Sequence, residues 1–205
     1  IGSALSLDYR STGIPTKRRG KKADEALTLV QRLWQEEEVS FAGEFFNYDR
    51  ASISPKPANP KLPLWIGGAS ESAMRRTARI GTGWLAGIDT PEQTARVIKG
   101  IKEALLDTGR RIDDDHYGAT FSFRFGNADE QASQQSIKGL AARTQQDPGR
   151  YLVIGEAADI IFRINEYIAA GCSKFVLIPI AEGAQDVMYQ TRSLIEQVIP
   201  IFSEN

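Results

Sequence analysis

The 205-residue sequence contains only one cysteine and one histidine. Cys172 has no second cysteine to pair with, so an internal disulfide and a Cys-based metal cluster are both excluded. With His116 as the single histidine, a histidine metal site is not expected either. No Ser–His–Asp set suited to nucleophilic catalysis can be assembled, so the chemistry must rest on other residues or on a bound group.

A charge excess and long apolar runs are also missing. Twenty-five Lys and Arg face 26 Asp and Glu, which gives a formal net charge of -1 and no basic footprint for nucleic acid. No apolar run approaches the roughly 20 residues of a membrane helix, and no signal-peptide pattern is recognisable. We therefore expect a cytoplasmic protein without nucleic-acid or membrane partners. Because 41% of the residues are hydrophobic, residues 1–205 are predicted to form a single domain with a core.

The stretch from Leu64 to Gly81 predicts a buried strand, a tight turn and a helix. Gly67 and Gly68 follow the apolar run, Ser70 suits a helix N-cap, and Gly81 suits the helix end. Free backbone N–H groups and the positive end of the helix dipole would meet at this turn, where an anion such as phosphate is stabilised. The alternative is a tight turn that binds nothing.

Strand and helix patterns alternate along the rest of the chain. A helix over residues 18–37 and a small β-hairpin over residues 39–48 come first. Four strand–helix units follow, which predicts an α/β fold with a parallel sheet, and residues 127–149 indicate an inserted polar loop or helix. The last strand, Lys174–Pro179, is expected to be fully buried. Functional sites in such sheets lie beyond the carboxyl ends of the strands, here at 67–70, 86–89, 125–127 and 179–183.

Two segments carry a resemblance to a known family. They are Val39-Ser40-Phe41-Ala42-Gly43-Glu44-Phe45-Phe46 and Leu64-Trp65-Ile66-Gly67-Gly68-Ala69-Ser70-Glu71, the second followed by Gly81-Thr82-Gly83-Trp84. In this order and spacing they resemble the bacterial luciferase-like oxidoreductases, and the match covers nearly the whole chain.

The resemblance implies a TIM (β/α)8 barrel, of which this chain looks like the C-terminal half, from the end of strand 4 through helix 8. It also implies FMN or coenzyme F420 as cofactor, between which the sequence does not choose, a small-molecule substrate and a tendency to form homodimers. The first four strands, the N-terminal half of the barrel, have no counterpart here. The expected function is a flavin- or deazaflavin-dependent oxidoreductase or monooxygenase. The alternative is a catalytically inactive half-barrel, or a non-catalytic binding or structural module.

The candidate site residues come partly from the resemblance. It implies that Gly67, Gly68, Ala69 and Ser70 bind the cofactor phosphate, and that Gly2 and Ser3 belong to a turn that touches the cofactor. The residues themselves add Arg124, which alternates with the apolar face of its strand and points either to an anionic substrate or into a salt bridge. No catalytic acid or base can be named. Residues 113–115 are interpreted as a solvated turn, so no metal site is predicted.

Overall fold

A computed structural model describes residues 7–13 and 15–203. The chain divides into two compact units, with the boundary between Leu64 and Trp65. The single domain inferred from the sequence stays a prediction. Among the described helices, none is long and apolar enough to cross a membrane.

The first unit contains two helices and a two-stranded antiparallel sheet: α1 (Leu7–Thr12), α2 (Arg19–Gln35), β1 (Val39–Ala42) and β2 (Asn47–Ala51). The hairpin extends past the predicted residues 39–48 to Ala51, because residues 44–46 form the turn and the second strand begins at Asn47. The Glu25 carboxylate, on α2, accepts hydrogen bonds from the backbone N–H groups of Glu44 (3.0 Å), Phe45 (2.9 Å) and Phe46 (2.6 Å). Desolvation raises the pKa of Glu25, but these donors outweigh it and hold the pKa below its ordinary value.

The second unit contains a five-stranded parallel sheet and its helices, which confirms the predicted α/β class. The strands pair in the order β3–β4–β5–β7, and β6 pairs with the end of β5 on the same side as β4. In chain order the elements are β3 (Trp65–Gly67), α3 (Glu71–Ile80), β4 (Gly83–Leu85), α4 (Pro91–Leu106), β5 (Tyr117–Phe125), α5 (Gln131–Thr144), β6 (Leu152–Gly155), α6 (Ala157–Ala169), β7 (Lys174–Pro179), α7 (Gly183–Gln197) and α8 (Ile199–Ser203).

Strand β6 was missed by the sequence analysis. It lies between α5 and α6 in the chain. It pairs in parallel with the second half of β5, from Ser122↔Leu152 to Phe125↔Gly155. The signal was present, because Leu152, Val153 and Ile154 form a short apolar run that ends at a glycine. Between β5 and β6, helix α5 occupies much of the segment interpreted as an inserted loop or helix.

The two faces of the sheet have different surroundings. On one face Ala119, Phe121 and Phe123 pack into the main core against α4, α6 and α7. On the opposite face Val176 and Ile178 of β7 are 46% and 47% exposed. The expectation that β7 is fully buried is therefore wrong. An apolar run alone does not show whether both faces of a strand are covered, and within this unit the helices cover one face.

Gln190 completes the hydrogen bonding of β5 where strand pairing ends. The pairing of β5 with β7 reaches Phe123, whose carbonyl still accepts from Ile180 N–H (2.8 Å). Two residues further, the Gln190 amide takes the place of a strand: Oε1 accepts from Phe125 N–H (2.7 Å) and Nε2 donates to the Phe125 carbonyl (3.0 Å). Gln190 is fully buried, so both partners depend on it.

We expect Gln190→Leu to lower the free energy of unfolding by about 2–4 kcal/mol, because it leaves a buried backbone N–H and a buried carbonyl unpaired. Gln197→Leu, in the same helix but exposed, is the matched control and should change stability little. Chemical denaturation of both variants measures the difference. Equal stability of the two variants would show that the Phe125 backbone does not depend on Gln190.

Candidate functional site

The carboxyl ends of the parallel strands share one edge of the sheet. Five connections leave from this edge: the loop 67–70 after β3, the loop 86–89 after β4, the segment 126–130 after β5, the short connection at residue 156 after β6 and the segment 180–182 after β7. Sites of parallel α/β proteins are built from such connections. The structure therefore brings the predicted residues of loop 67–70 and Arg124 to the same edge.

Loop 67–70 makes a sharp turn from strand to helix. Gly68 has φ +100°, a left-handed conformation that favours glycine, and a Cβ there would lie 3.3 Å from Ala73 Cβ. The Gly68 carbonyl is held by the indole N–H of the fully buried Trp84 (3.0 Å). Gly67 to Ser70 are all exposed, so the turn is both fixed and accessible.

Helix α3 begins directly at this turn. Ser70 has extended dihedrals, and its Oγ accepts from Ala73 N–H (3.2 Å), which makes it the predicted N-cap. Within the described residues, the amides of Ala69 and Ser70 have no hydrogen-bond acceptor, whereas the register of β3 with β4 directs the Gly68 N–H towards the Leu85 carbonyl. Glu71 contributes a negative charge in the first turn, which an exposed ion pair with Arg75 partly balances. Unpaired donors at the positive end of a ten-residue helix form an anion-binding geometry.

Two other predicted cofactor residues, Gly2 and Ser3, lie outside the described residues. The cofactor contact implied for them stays a prediction.

The guanidinium of Arg124 lies within a network of protein acceptors. Nε and Nη2 donate to Glu130 Oε2, the first at 2.7 Å, and Nη1 donates to Asp186 Oδ2 (2.7 Å) and to the Ile180 carbonyl (2.8 Å). The side chain is only 11% exposed. The sequence left open whether Arg124 contacts an anionic substrate or forms a salt bridge. In the structure it forms an ion pair with Glu130 and Asp186, and this ion pair is largely buried.

A cavity of about 270 Å³ lies beside these residues. Strand residues from the uncovered face, α5 and the segment after β7 line it, including Ser122, Gln135, Ser136, Ile178 and Glu182. A larger space of about 400 Å³ is lined mainly by residues 147–163, which include β6 and the first half of α6. The smaller cavity adjoins the strand ends, so it is the better placed of the two to receive a substrate.

Asp89 is a functional candidate that the sequence analysis missed. It ends the loop after β4, where burial raises its pKa although Gly87 N–H donates to its Oδ2 (3.1 Å) and lowers the pKa in part. The Tyr167 hydroxyl, from α6, donates to the Asp89 carbonyl (2.7 Å) and fixes the loop. The usable signal was a carboxylate directly after a predicted strand and before the Thr90-Pro91 helix start.

Asp113, Asp115 and His116 are the residues of the described chain whose side chains are grouped closely enough to hold a cation. They lie at the amino end of β5, away from the strand-end edge. Asp115 is already paired with His116 Nδ1 (2.6 Å) and with Lys174 Nζ (3.2 Å). The arrangement is an exposed ion-paired turn, and the absence of a metal site at residues 113–115 stays a prediction.

We expect Asp89→Asn to raise thermal stability near neutral pH. A raised pKa means that the folded state binds the proton more tightly, so ionised Asp89 opposes folding above its pKa and the penalty disappears as pH falls. The asparagine amide stays neutral and still accepts from Gly87 N–H. Thermal unfolding between about pH 3.5 and pH 7 should show the variant's advantage shrinking towards acid. Asp129→Asn, at an exposed site, is the control, and an equal gain there would contradict the account.

The fold is shared with solved structures of much lower sequence identity. An F420-dependent secondary alcohol dehydrogenase in complex with an F420–acetone adduct superposes with a TM-score of 0.78 at 16% identity, over 94% of this chain and 66% of that chain. A long-chain alkane monooxygenase gives a TM-score of 0.72 at 15% identity, over 100% of this chain and 61% of that chain. These neighbours are luciferase-like TIM-barrel proteins, so the predicted barrel architecture is confirmed, with this chain fitting part of a barrel.

Curated proteins with related sequences are considerably longer. An uncharacterised protein of Mycobacterium tuberculosis is 33% identical over 103 residues, which is 50% of this chain and 35% of that protein. An F420-dependent glucose-6-phosphate dehydrogenase of Nakamurella multipartita is 28% identical over 156 residues, which is 73% of this chain and 46% of that enzyme. The chain spans about a third to a half of the length of these two relatives.

The family assignment rests on a match that extends over most of the chain. The model of the luciferase-like monooxygenase family matches residues 3–172, which include loop 67–70 and all of β5. The chain belongs to the luciferase-like monooxygenase family.

Proposed function

We propose that this protein is an oxidoreductase that binds coenzyme F420 or FMN and acts on a small-molecule substrate, with loop 67–70 holding the cofactor phosphate. The observation that carries the proposal is the pair of unpaired amides, from Ala69 and Ser70, in an exposed glycine turn at the start of α3. Both cofactors carry phosphate, and backbone N–H groups at a helix N-terminus are suited to it.

The residues present fit a phosphate on steric grounds as well. A Cβ at Gly68 would lie only 3.3 Å from Ala73 Cβ, whereas a Cβ at Gly67 would make an ordinary van der Waals contact with the Leu85 carbonyl (3.5 Å). Glycines at both positions leave the backbone open to close approach. The Ser70 hydroxyl, engaged with Ala73 N–H and Ser72 Oγ (3.1 Å), lies at the same point and adds a polar group to the loop.

When bound, F420 would supply hydride transfer, and reduced FMN would supply oxygen activation. The sequence relatives favour F420, because the Nakamurella multipartita enzyme is F420-dependent. The part played by this chain is to bind the phosphate, to orient the cofactor at the strand-end edge and to line the cavity beside Ser122. No acid or base is assigned.

The uncovered face of the sheet supports a larger barrel. Val176 and Ile178 are half exposed on the face that lies opposite the helices, and in a closed barrel this face is the packed interior. We infer that further strands, corresponding to the N-terminal half of a barrel, cover it in the active protein. The homodimer implied by the family resemblance stays a prediction.

Substitutions at Ser70 test the phosphate loop. Asn and Asp cap helices about as well as Ser does, so Ser70→Asn and Ser70→Asp should both fold like the wild type. Only the aspartate adds a negative charge beside the bound phosphate, and we expect it to weaken cofactor binding by at least about tenfold relative to the asparagine variant. Fluorescence titration with F420 and with FMN measures the affinities.

The outcomes separate the proposed enzyme from a non-catalytic module. Binding of neither cofactor by the wild-type protein would favour the binding or structural module. Equal affinities for the Asn and Asp variants would show that the cofactor phosphate is held elsewhere. Thermal unfolding of both variants is the control for helix capping.

A further inference from the structure

Arg124 joins three segments at the strand-end edge. It projects from β5 and donates to Glu130 at the start of α5, to the Ile180 carbonyl just after β7, and to Asp186 in the first turn of α7. A planar guanidinium serves several acceptors in fixed directions, which an ammonium group does not. One side chain therefore sets the spacing between the two segments, 126–130 and 180–186, that flank the strand ends.

Each of the two carboxylates that pair with Arg124 also accepts a hydrogen bond from a backbone N–H group. Glu130 Oε1 accepts from Asn127 N–H (2.7 Å), and Asp186 Oδ2 also accepts from Glu182 N–H (2.9 Å). Asp186 Oδ1 accepts from Gln190 Nε2 (3.3 Å), which connects the cluster to the buried amide at Phe125. Both loops are thus fastened at their backbones as well as at their side chains.

The positive charge of Arg124 is balanced within the cluster by Glu130 and Asp186. One guanidinium faces two carboxylates, and Glu130 remains ionised because Asn127 N–H and Arg124 hold its pKa below the ordinary value. With 11% of its side chain exposed, Arg124 has little surface available for direct contact with an anionic substrate.

We propose that Arg124 is a positioning residue for the cofactor site: it fixes segments 126–130 and 180–186 over the carboxyl ends of β5 and β7, so that they form the substrate-side wall. Of the two roles that the sequence left open for Arg124, this proposal takes the ion pair and not the contact with an anionic substrate. The inference rests on the proposed function, because the wall serves the cofactor that loop 67–70 holds. The cavity lined by Ser122, Ile178 and Glu182 lies at this wall.

Two substitutions at Arg124 are compared with one at Arg163. Arg163 is a matched control: it is 15% exposed and donates to one carboxylate, Glu166, and to the Arg150 and Gly149 carbonyls, away from the strand ends. Arg124→Gln and Arg124→Lys should both raise the rate of hydrogen exchange in segments 126–130 and 180–186 by about tenfold. Glutamine removes the charge, and lysine keeps the charge but lacks the planar guanidinium that donates to several acceptors at once. Arg163→Lys should leave exchange there unchanged.

Cofactor binding gives a readout that general destabilisation does not reproduce. At equal loss of thermal stability, Arg124→Lys should alter the fluorescence spectrum of bound F420 or FMN and weaken binding, whereas Arg163→Lys should do neither. If Arg124→Lys binds cofactor as the wild type does, or if Arg163→Lys is impaired to the same extent, the positioning role is overturned.

Glu130→Gln separates positioning from direct anion contact. The neutral amide frees part of the Arg124 charge, so an anion-binding arginine would let inorganic phosphate slow exchange in both segments of the variant. Positioning predicts faster exchange in the variant and no effect of phosphate on these segments. Slowing by phosphate would overturn the proposal.

The proposed function and the positioning role fail in different measurements. Failure of the wild-type protein to bind either F420 or FMN overturns the proposed function and, with it, the role of the wall. Unchanged exchange in Arg124→Lys overturns the positioning role alone.

Discussion

The parallel pairing of β5 with β7 is the constraint on which the strand-end edge depends. This pairing stops at Phe123, while β5 continues for two more residues. Beyond that point β6 still pairs with one side of β5, but on the side that β7 leaves open, side chains replace strand hydrogen bonds. Gln190 pairs with the Phe125 backbone there, and Arg124 links the segments after β5 and β7. The edge is held by buried polar groups rather than by a longer sheet, and such groups are effective only when all of them are paired.

The local elements were predictable because their signals are local. Ser70 caps α3 as expected, and α4 begins with a capping box between Thr90 and Gln93, a motif formed by residues three positions apart. Apolar and other residues alternate along β5, and the apolar residues are the buried ones in the structure. For the same reason the αβ order and the family resemblance could be inferred from the chain alone.

Long-range contacts account for what the sequence did not reveal. Glu25 reaches across 20 residues to fix the hairpin turn, which moves the second strand to Asn47. Arg124 and Asp186 are 62 residues apart, and nothing in either neighbourhood indicates that they pair. The exposure of Val176 depends on which other elements cover that face of the sheet, and the residues of the strand itself do not indicate this. Asp89 could have been noted, but its burial could not.

The account makes loop 67–70 a phosphate site, and the effect of the cofactor phosphate on affinity tests that claim most directly. The measurement is the dissociation constant of the wild-type protein for FMN against riboflavin, and for F420 against its phosphate-free deazaflavin core. The account predicts that one phosphate-bearing member of these pairs binds at least about tenfold more tightly than its phosphate-free partner, as expected from several charge-assisted hydrogen bonds. Equal affinities within each pair would contradict it.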